Sequence, residues 1–421
     1  MAVLEHGIVM GGGVAGLLAA AGLAPHSERV TIVDRDPLPV DGPEALGARR
    51  GVPQGGIVHR LLALGEASIE ELLPGLREEL LAAGAEKRAP REDAPGHDRG
   101  VDEPGTLWLT RPLLEGVLRR RVLALPGVEV VQGAVGGLLA TADGRAVTGV
   151  TLRGAESDEL TGDLVVDASG RSSRAATWVE GLGGTRPRTL GTRVHVAYAC
   201  QRLRLREGAL PAGTEALTVP PSGRSPFTID LEPCGSGEHV LSVAGTARHQ
   251  PPADFDGLLD LVALLPEREL ADALDSALAG AEPVGETISA KAAGAHRQLW
   301  EALEDGPEGL VHVGDAAAMF TPLYGQGMAM AAVGAVVLRD ALGAADGTGA
   351  ADGADAAAAA DGAPGVPAGF AAGFQRRLGG RLDPAWESTT SQDAQIPGAE
   401  MLLDGQAVEE LPTPGALISE P

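Results

Sequence analysis

Two stretches carry residues whose types and spacing could do chemistry. In VGDAAAMFTPLYGQGM, residues 313 to 328, an apolar run ends at Gly314-Asp315, a proline interrupts, and Gly325-Gln326-Gly327 opens an almost uncharged helical run. A structural turn needs neither the acid nor both glycines. A ligand with hydroxyls and an electron-rich ring uses both, the carboxylate as acceptor and the helix amides as donors. In HGIVMGGGVAG, Gly11, Gly13 and Gly16 satisfy G-x-G-x-x-G directly after a strand-like run and at a helix start. The first glycine permits the tight turn, the second lets backbone approach a pyrophosphate, and the third allows close helix–strand packing. Asp34 ends the next strand-like run eighteen residues past Gly16, where an acid can accept ribose hydroxyls.

Other chemistries are excluded by what is missing. The nine histidines are scattered without metal-ligand spacing, and His59, His195 and His312 each sit beside apolar residues, as core or pocket histidines do. There is no G-x-S-x-G nucleophile elbow. Cys200 and Cys234 are too few for a disulfide framework, so a reducing cytoplasm is the expected setting. A net charge of −25, with Lys87 and Lys291 the only lysines, argues against nucleic-acid binding and against docking on anionic lipid.

The elements that must position these residues read as an α/β domain. HGIVM and RVTIVD are short apolar runs ending in turn or acidic residues, which suits parallel strands buried on both faces. DLVVDASG, ending at Asp167, and LVHV, ending before Asp315, have the same texture, so their ends converge on the carboxyl edge of one sheet. Residues 51–83 read as helical with a break at Pro74-Gly75, and LWLTRPLLEGVLRRRVLAL as a strand leading into a helix. Gly7 to Pro25 and Gly327 to Leu338 are apolar, but the first lacks a basic leader and the second is only twelve residues long. Both are expected as buried helices, with no membrane span.

The trio GGGVAG…VD, DLVVDASGRSSR and VGDAAAMFTPLYGQGM resembles the single-domain (class A) FAD-dependent monooxygenases. RRGVPQGGIVHRLL and VVDASGRSSR further resemble the bacterial branch that holds polyether polyene epoxidases and FAD-bearing decalin-forming cyclases. The resemblance covers roughly residues 5–340, with a weaker echo in DPAWEST. It implies a Rossmann-like FAD-binding domain over 1–184, an inserted antiparallel-sheet substrate domain over 185–294 and a return to the first domain over 295–342. A low-complexity linker (343–369) and a tail (370–421) without evident chemistry would follow. It implies that Gly11, Gly13, Gly16 and Asp34 hold the ADP half of FAD, and that Arg111 lies along the cofactor. Asp315 would bind the ribityl chain, and Gly325, Gln326, Gly327 and Met328 would present helix amides to the flavin N1/C2=O edge, where they stabilise negative charge. Asp167 and Arg171 match positions that contact flavin and a transient nicotinamide, with strand-end bonding as the alternative for both.

The implied activity is oxygenation: NAD(P)H reduces FAD, and oxygen activated at flavin C4a passes to an alkene. Such chemistry asks for a dry, shaped pocket more than for an acid–base pair. The scarcity of aromatics (two Tyr, five Phe, four Trp) favours an aliphatic, polyene- or polyketide-like substrate, free or carrier-bound, over one gripped by stacking. His195, Tyr198 and Phe227 are the candidate pocket residues. The four tryptophans are isolated and neither lysine maps to the sheet edge, which speaks against a flavin halogenase. Three departures from the branch pattern sit near the flavin entrance. One histidine, His59, remains after GVPQ; Thr321 stands in Phe320-Thr321-Pro322 where the branch often has asparagine; and the arginine-rich segment before the last strand shrinks to AGAHRQLW. These leave open a cyclase that keeps FAD as scaffold, or a flavin-binding protein without turnover.

Overall fold

The computed structural model describes residues 3–42, 45, 49, 58–88, 106–222, 224–246, 248–266, 268–292, 294–345 and 365–418. The chain opens with β1 (Leu4–Met10), α1 (Val14–Leu23) and β2 (Ser27–Asp34), followed by β3 (Val58–Leu61), α2 (Ala63–Leu72), α3 (Leu76–Ala82), β4 (Glu86–Arg88), β5 (Thr106–Thr110) and α4 (Arg111–Leu123). Next come β6 (Val128–Gln132), the meander β7 (Ala134–Ala140), β8 (Val147–Arg153) and β9 (Glu159–Thr161), then β10 (Leu164–Asp167) and α5 (Ala175–Gly181). β11 (Thr189–Arg193), β12 (Val196–Arg204), β13 (Leu217–Val219), β14 (Phe227–Gly235), β15 (Glu238–Gly245), α6 (Phe255–Ala263), α7 (Arg268–Leu278) and β16 (Glu282–Ala292) form the middle of the chain. The last part is β17 (His296–Gln298), β18 (Leu310–His312), β19 (Ala318–Met319), α8 (Gln326–Ala345), α9 (Phe370–Asp393), β20 (Glu400–Leu403), β21 (Gln406–Val408) and α10 (Pro414–Ile418).

One five-stranded sheet, ordered β18-β10-β1-β2-β6, is parallel throughout. Its central strands are apolar and buried because helices cover the sheet: α1 hides nine of its ten residues, and α8 packs on α1, α2 and α9. A second sheet, β13-β14-β15-β12-β16, is antiparallel and lies in the chain between β10 and β18. Period-two alternation sends Ala199, Leu203, Ile229, Leu231, Leu241 and Val243 under α6 and α7, while Tyr198, Thr228, Asp230, Ser242 and Ala244 on the other face are half-buried. A third sheet, β19-β17-β11-β20-β21, ties the tail to the strand that enters this second sheet. The fold is therefore a Rossmann-like dinucleotide domain with an inserted antiparallel sheet.

Several expectations change. Residues 58–61, expected as helix, pair with β5 as β3, since VHRL finds an open strand edge there. The break at Pro74-Gly75 stands between α2 and α3, with Gly75 in the left-handed region. The apolar run from Gly327 lengthens into the twenty-residue α8, long enough to cross a bilayer, yet it is packed within the protein. Of the 343–369 segment, 343–345 end α8 and 346–364 lie outside the described residues, as do 89–105 and all of GVPQGGI. The tail is not featureless: its α9 buries Phe370, Phe374, Leu378, Leu382 and Trp386 against the core.

Candidate active site

The carboxyl edge of the parallel sheet brings together the ends of β1, β2, β10 and β18. The turn after β1 is built on glycine for steric reasons. Gly11 has φ +102°, and a Cβ there would lie 2.7 Å from the Ala168 carbonyl oxygen. A Cβ on Gly16 would lie 1.8 Å from the Gly11 carbonyl oxygen, so only glycine lets α1 start this close to β1. Gly13 differs from both: its backbone is extended, and a Cβ added to it would meet none of the described residues within 4 Å. No side chain caps α1, so its first-turn amides face that open space.

Asp34 closes the loop from the side. Its Oδ2 accepts from the Gly12 amide (2.6 Å) and its Oδ1 from the Asp36 amide (2.8 Å). Arg49 donates to the Gly12 carbonyl (2.9 Å) and to Asp34 (3.2 Å), then reaches Glu115 at 3.6 Å. Glu115 also receives Arg111 Nε (2.7 Å) and stands 3.8 Å from Arg119, which donates to the Pro39 carbonyl (2.8 Å). Among the described residues, three guanidiniums thus surround two carboxylates, all largely buried, leaving one positive charge over. Burial first, and the Arg49 charge second, pull the Arg119 pKa down. Among the described residues the Nε groups of Arg49 and Arg119 are buried without a partner. A buried excess cation is costly until an anion meets it, and an uncapped helix start beside a side-chain-free opening is where a diphosphate fits. These residues fit FAD, or any other dinucleotide, at its ADP half.

At the far end of the edge, Asp315 follows β18 in a short 3₁₀ turn. It is solvent-exposed yet ringed by protein, as on a cleft floor. Burial raises its carboxyl pKa, while Arg111 and Arg171 pull the other way. Among the described residues it has no hydrogen-bond or ion-pair partner. The position a Gly327 Cβ would take lies 3.8 Å from Asp315 Oδ1, so acid and helix start stand side by side. Gly325, at φ +70°, ends the Pro322–Tyr324 turn and lets α8 begin. Gln326 turns its side chain away, accepting from Thr389 Oγ1 (2.5 Å), and the Met328 side chain is core. Of this segment, the backbone of 325–327 is what remains for a ligand.

The structure separates other expected residues. Asp167 is fully buried, and its two oxygens accept from Ser169 Oγ (2.5 Å), the Ser169 amide (3.0 Å) and Ser173 Oγ (2.5 Å). Its side chain organises its own loop, the strand-end bonding that was the alternative; burial raises its pKa against those bonds. Arg171, by contrast, is exposed and has no hydrogen-bond or ion-pair partner among the described residues. Tyr198 lies on the helix-free face of the second sheet, within reach of the Arg171 charge and clustered with Val196, Ala244, Leu323 and Ile396. Burial raises its phenol pKa, so it stays protonated. Phe227 points to the opposite face, into the α6/α7 core and edge-on to His249 at 6.3 Å, so strand parity parts it from Tyr198. His195 sits 3.4 Å from Arg248 at the edge of this region. His312 is a core histidine: it stacks on Trp300 (3.7 Å, 8°), its Nδ1 accepts from Gln375 (3.2 Å), and burial takes its pKa down to about 3. Among the described residues no cluster of acids, histidines or cysteines could hold a metal.

Two buried charged groups escaped the sequence. Arg297, in the AGAHRQLW segment, is buried and spends its guanidinium on Asp383 (2.7 Å), Glu301 (2.7 Å) and the Gly379 carbonyl (3.1 Å). Asp393, at the end of α9, is wholly buried against Thr192, Thr321 and Tyr324. Only the hydroxyl of Thr321, replacing the usual asparagine, hinted at such a partner.

No family model matches the chain. Among solved structures, PqsL from Pseudomonas aeruginosa, described as a probable FAD-dependent monooxygenase, superposes with a TM-score of 0.61 at 19% identity, covering 92% of this chain and 94% of that one. The myxobacterial FAD-dependent halogenase CndH gives 0.60 at 20%, covering 93% and 83%. The Diels-Alderase PyrE3 of pyrroindomycin biosynthesis gives 0.59 at 20%, covering 93% and 73%. At such identities the likeness is one of fold, the fold of FAD-dependent monooxygenases and halogenases. Among curated proteins, Protein Rv3254 of Mycobacterium tuberculosis is 33% identical over 358 residues, 81% of this chain and 73% of that one. The chain belongs to the family of Protein Rv3254.

Proposed function

We propose that this protein is an FAD-dependent monooxygenase that epoxidises an alkene of a polyene- or polyketide-like molecule, with NAD(P)H as co-substrate. The observation that carries the flavin reading is the pairing at the two ends of one sheet edge. Among the described residues, Gly13 opens on space beside a surplus of buried positive charge, and Asp315 faces Gly327 without a hydrogen-bond or ion-pair partner. FAD has an anionic diphosphate for the first and ribityl hydroxyls with a ring for the second. Bound there, FAD would supply the activation of O₂.

The chain's own residues do the rest. Asp34 accepts ribose hydroxyls, the α1 amides and Arg49 meet the diphosphate, and Arg111, held by Glu115, lies between the two ends. The first-turn amides of α8 offer N–H dipoles to the ring edge that gains charge on reduction. The helix-free face of the second sheet, with Val196, Tyr198 and Ala244 beside Leu323, supplies an apolar wall that excludes water from the alkene.

One observation favours a second reading, a cyclase that keeps FAD as scaffold and shapes a polyene for ring closure. Arg297 is turned inward with both terminal nitrogens engaged, so the segment where this branch concentrates arginine has one fewer cation to offer a nicotinamide phosphate. The test is a yellow purified protein incubated with a polyene. Consumption of NADPH and O₂ in step with product supports the oxygenase. Ring formation unaffected by removing both supports the cyclase, and a colourless protein that takes up no FAD ends both.

A further inference from the structure

The carboxylate of Asp393 has no cation within ion-pair distance among the described residues, yet it is completely buried. Its Oδ2 accepts from Thr192 Oγ1 (2.5 Å) and Thr321 Oγ1 (2.6 Å), and its Oδ1 accepts from Tyr324 Oη (3.0 Å). Three separate elements meet on one side chain: β11, the turn that precedes α8, and the last residue of α9. Thr192 is itself fixed by the Ala295 amide, which donates to its Oγ1 at 2.8 Å. One turn back on α9, Thr389 donates to Gln326 Oε1 at 2.5 Å. The tail helix therefore grips residues 321, 324 and 326, and between the last two lies Gly325, whose left-handed backbone sets the direction in which α8 starts.

Burying an ion without a counter-ion costs several kcal/mol unless hydrogen bonds replace its water. A merely structural site would do as well with an amide or an apolar residue. Two of the three hydroxyl donors here, Thr321 and Tyr324, belong to one short segment, the segment that leads into the start of α8 beside Asp315. We propose that Asp393 is a positioning residue for the flavin-facing start of α8, acting through Thr321 and Tyr324 without touching the cofactor. This rests on the flavin reading above. The tail thereby acquires a role, since α9 holds the ring half of the site while the ADP half is built wholly from residues before 120.

The separation of the two halves gives the test. Full-length Asp393→Asn and Tyr324→Phe proteins are stripped of flavin and titrated with FAD and, separately, with ADP. The asparagine offers one acceptor oxygen where the carboxylate offers two, so a hydroxyl loses its partner. The expected result for Asp393→Asn is an FAD dissociation constant raised at least tenfold and an ADP constant within twofold of wild type. Tyr324→Phe, which leaves both threonine bonds, is expected to raise the FAD constant about threefold and to leave ADP unchanged; it keeps the test open should the asparagine variant not fold. FAD and ADP affinities falling together would show Asp393 to be only a fold determinant, and FAD affinity unchanged in both variants would remove the role altogether. A wild-type protein that binds ADP but not FAD would fail the flavin reading itself, a result distinct from either.

Discussion

Gly13 and Gly16 are three residues apart in one turn, yet the structure demands opposite outcomes from replacing them. At Gly13 the backbone is extended (φ −79°, ψ −173°), a conformation any residue adopts, and an added Cβ meets no atom of the described residues within 4 Å. Gly13→Val should therefore leave the FAD-free protein within about 1 kcal/mol of wild type, since the lost glycine entropy in the unfolded chain offsets a poorer N-cap. Its branched side chain fills the space in front of the α1 amides. A diphosphate pushed off those amides and Arg49 forfeits charge-assisted bonds worth about 1.5–3 kcal/mol each. Losing one or two of them predicts a loss of FAD affinity of about 100-fold, since 1.4 kcal/mol is a factor of ten. At Gly16 the added carbon would sit 1.8 Å from a carbonyl oxygen, and α1 must move off β1. Gly16→Ala is expected to cost about 3 kcal/mol or more before any ligand is present. The assay is thermal unfolding of each stripped protein, then FAD titration by fluorescence quenching. A Gly13→Val protein that holds FAD within twofold of wild type would refute the reasoning, as would a Gly16→Ala protein as stable as wild type.

Other expectations follow from the charges. Burial raises the Asp315 pKa above its unfolded value, so the folded state binds its proton more tightly and this group's effect on stability turns unfavourable as pH rises through the carboxylate range. Asp315→Asn should thus raise the melting temperature of the FAD-free protein at pH 7 while weakening FAD retention through dialysis; a lower melting temperature or unchanged retention contradicts it. His312 behaves in the opposite sense: with a folded pKa of about 3 against 6.5 unfolded, its contribution is complete above pH 6.5 and about 3 kcal/mol is lost by pH 4. His312→Phe, which can keep the stack on Trp300, should flatten the acid limb of a stability–pH curve between pH 6 and 4, and an unchanged limb would show the histidine is not buried neutral. Glu115→Gln leaves three guanidiniums facing Asp34 alone and should destabilise the stripped protein by about 3 kcal/mol, measured by urea unfolding.

What could be read from the sequence was what is local. The glycine turn, Asp34 and the Gly314-Asp315 strand end announce themselves because each uses residue types that a plain turn does not need, within a few positions of an apolar strand. Apolar runs ending in acids made the parallel sheet plain for the same reason. The failures arose where a side chain's role depends on distant chain. Thr192 and Asp393 are 201 residues apart and bond directly, and nothing in the mixed polarity of the tail marks Asp393 as buried. Phe227 and Tyr198 look alike in sequence, but pairing register decides which face each takes, and that register is set by β15. Asp167 had the strand-end position of a ligand residue; two serines just downstream captured it. Residues 58–61 carry an adequate helical pattern, and an available strand edge outweighed it.

Whether Gly13, Asp34 and Asp315 serve one cofactor is decided most directly by calorimetric titration of the stripped, full-length protein with FAD. The expected result is one FAD per chain, bound at least tenfold more tightly than ADP, because the ring end adds contacts at Asp315 and the start of α8. Equal affinities for FAD and ADP, or no binding of FAD at all, would contradict it.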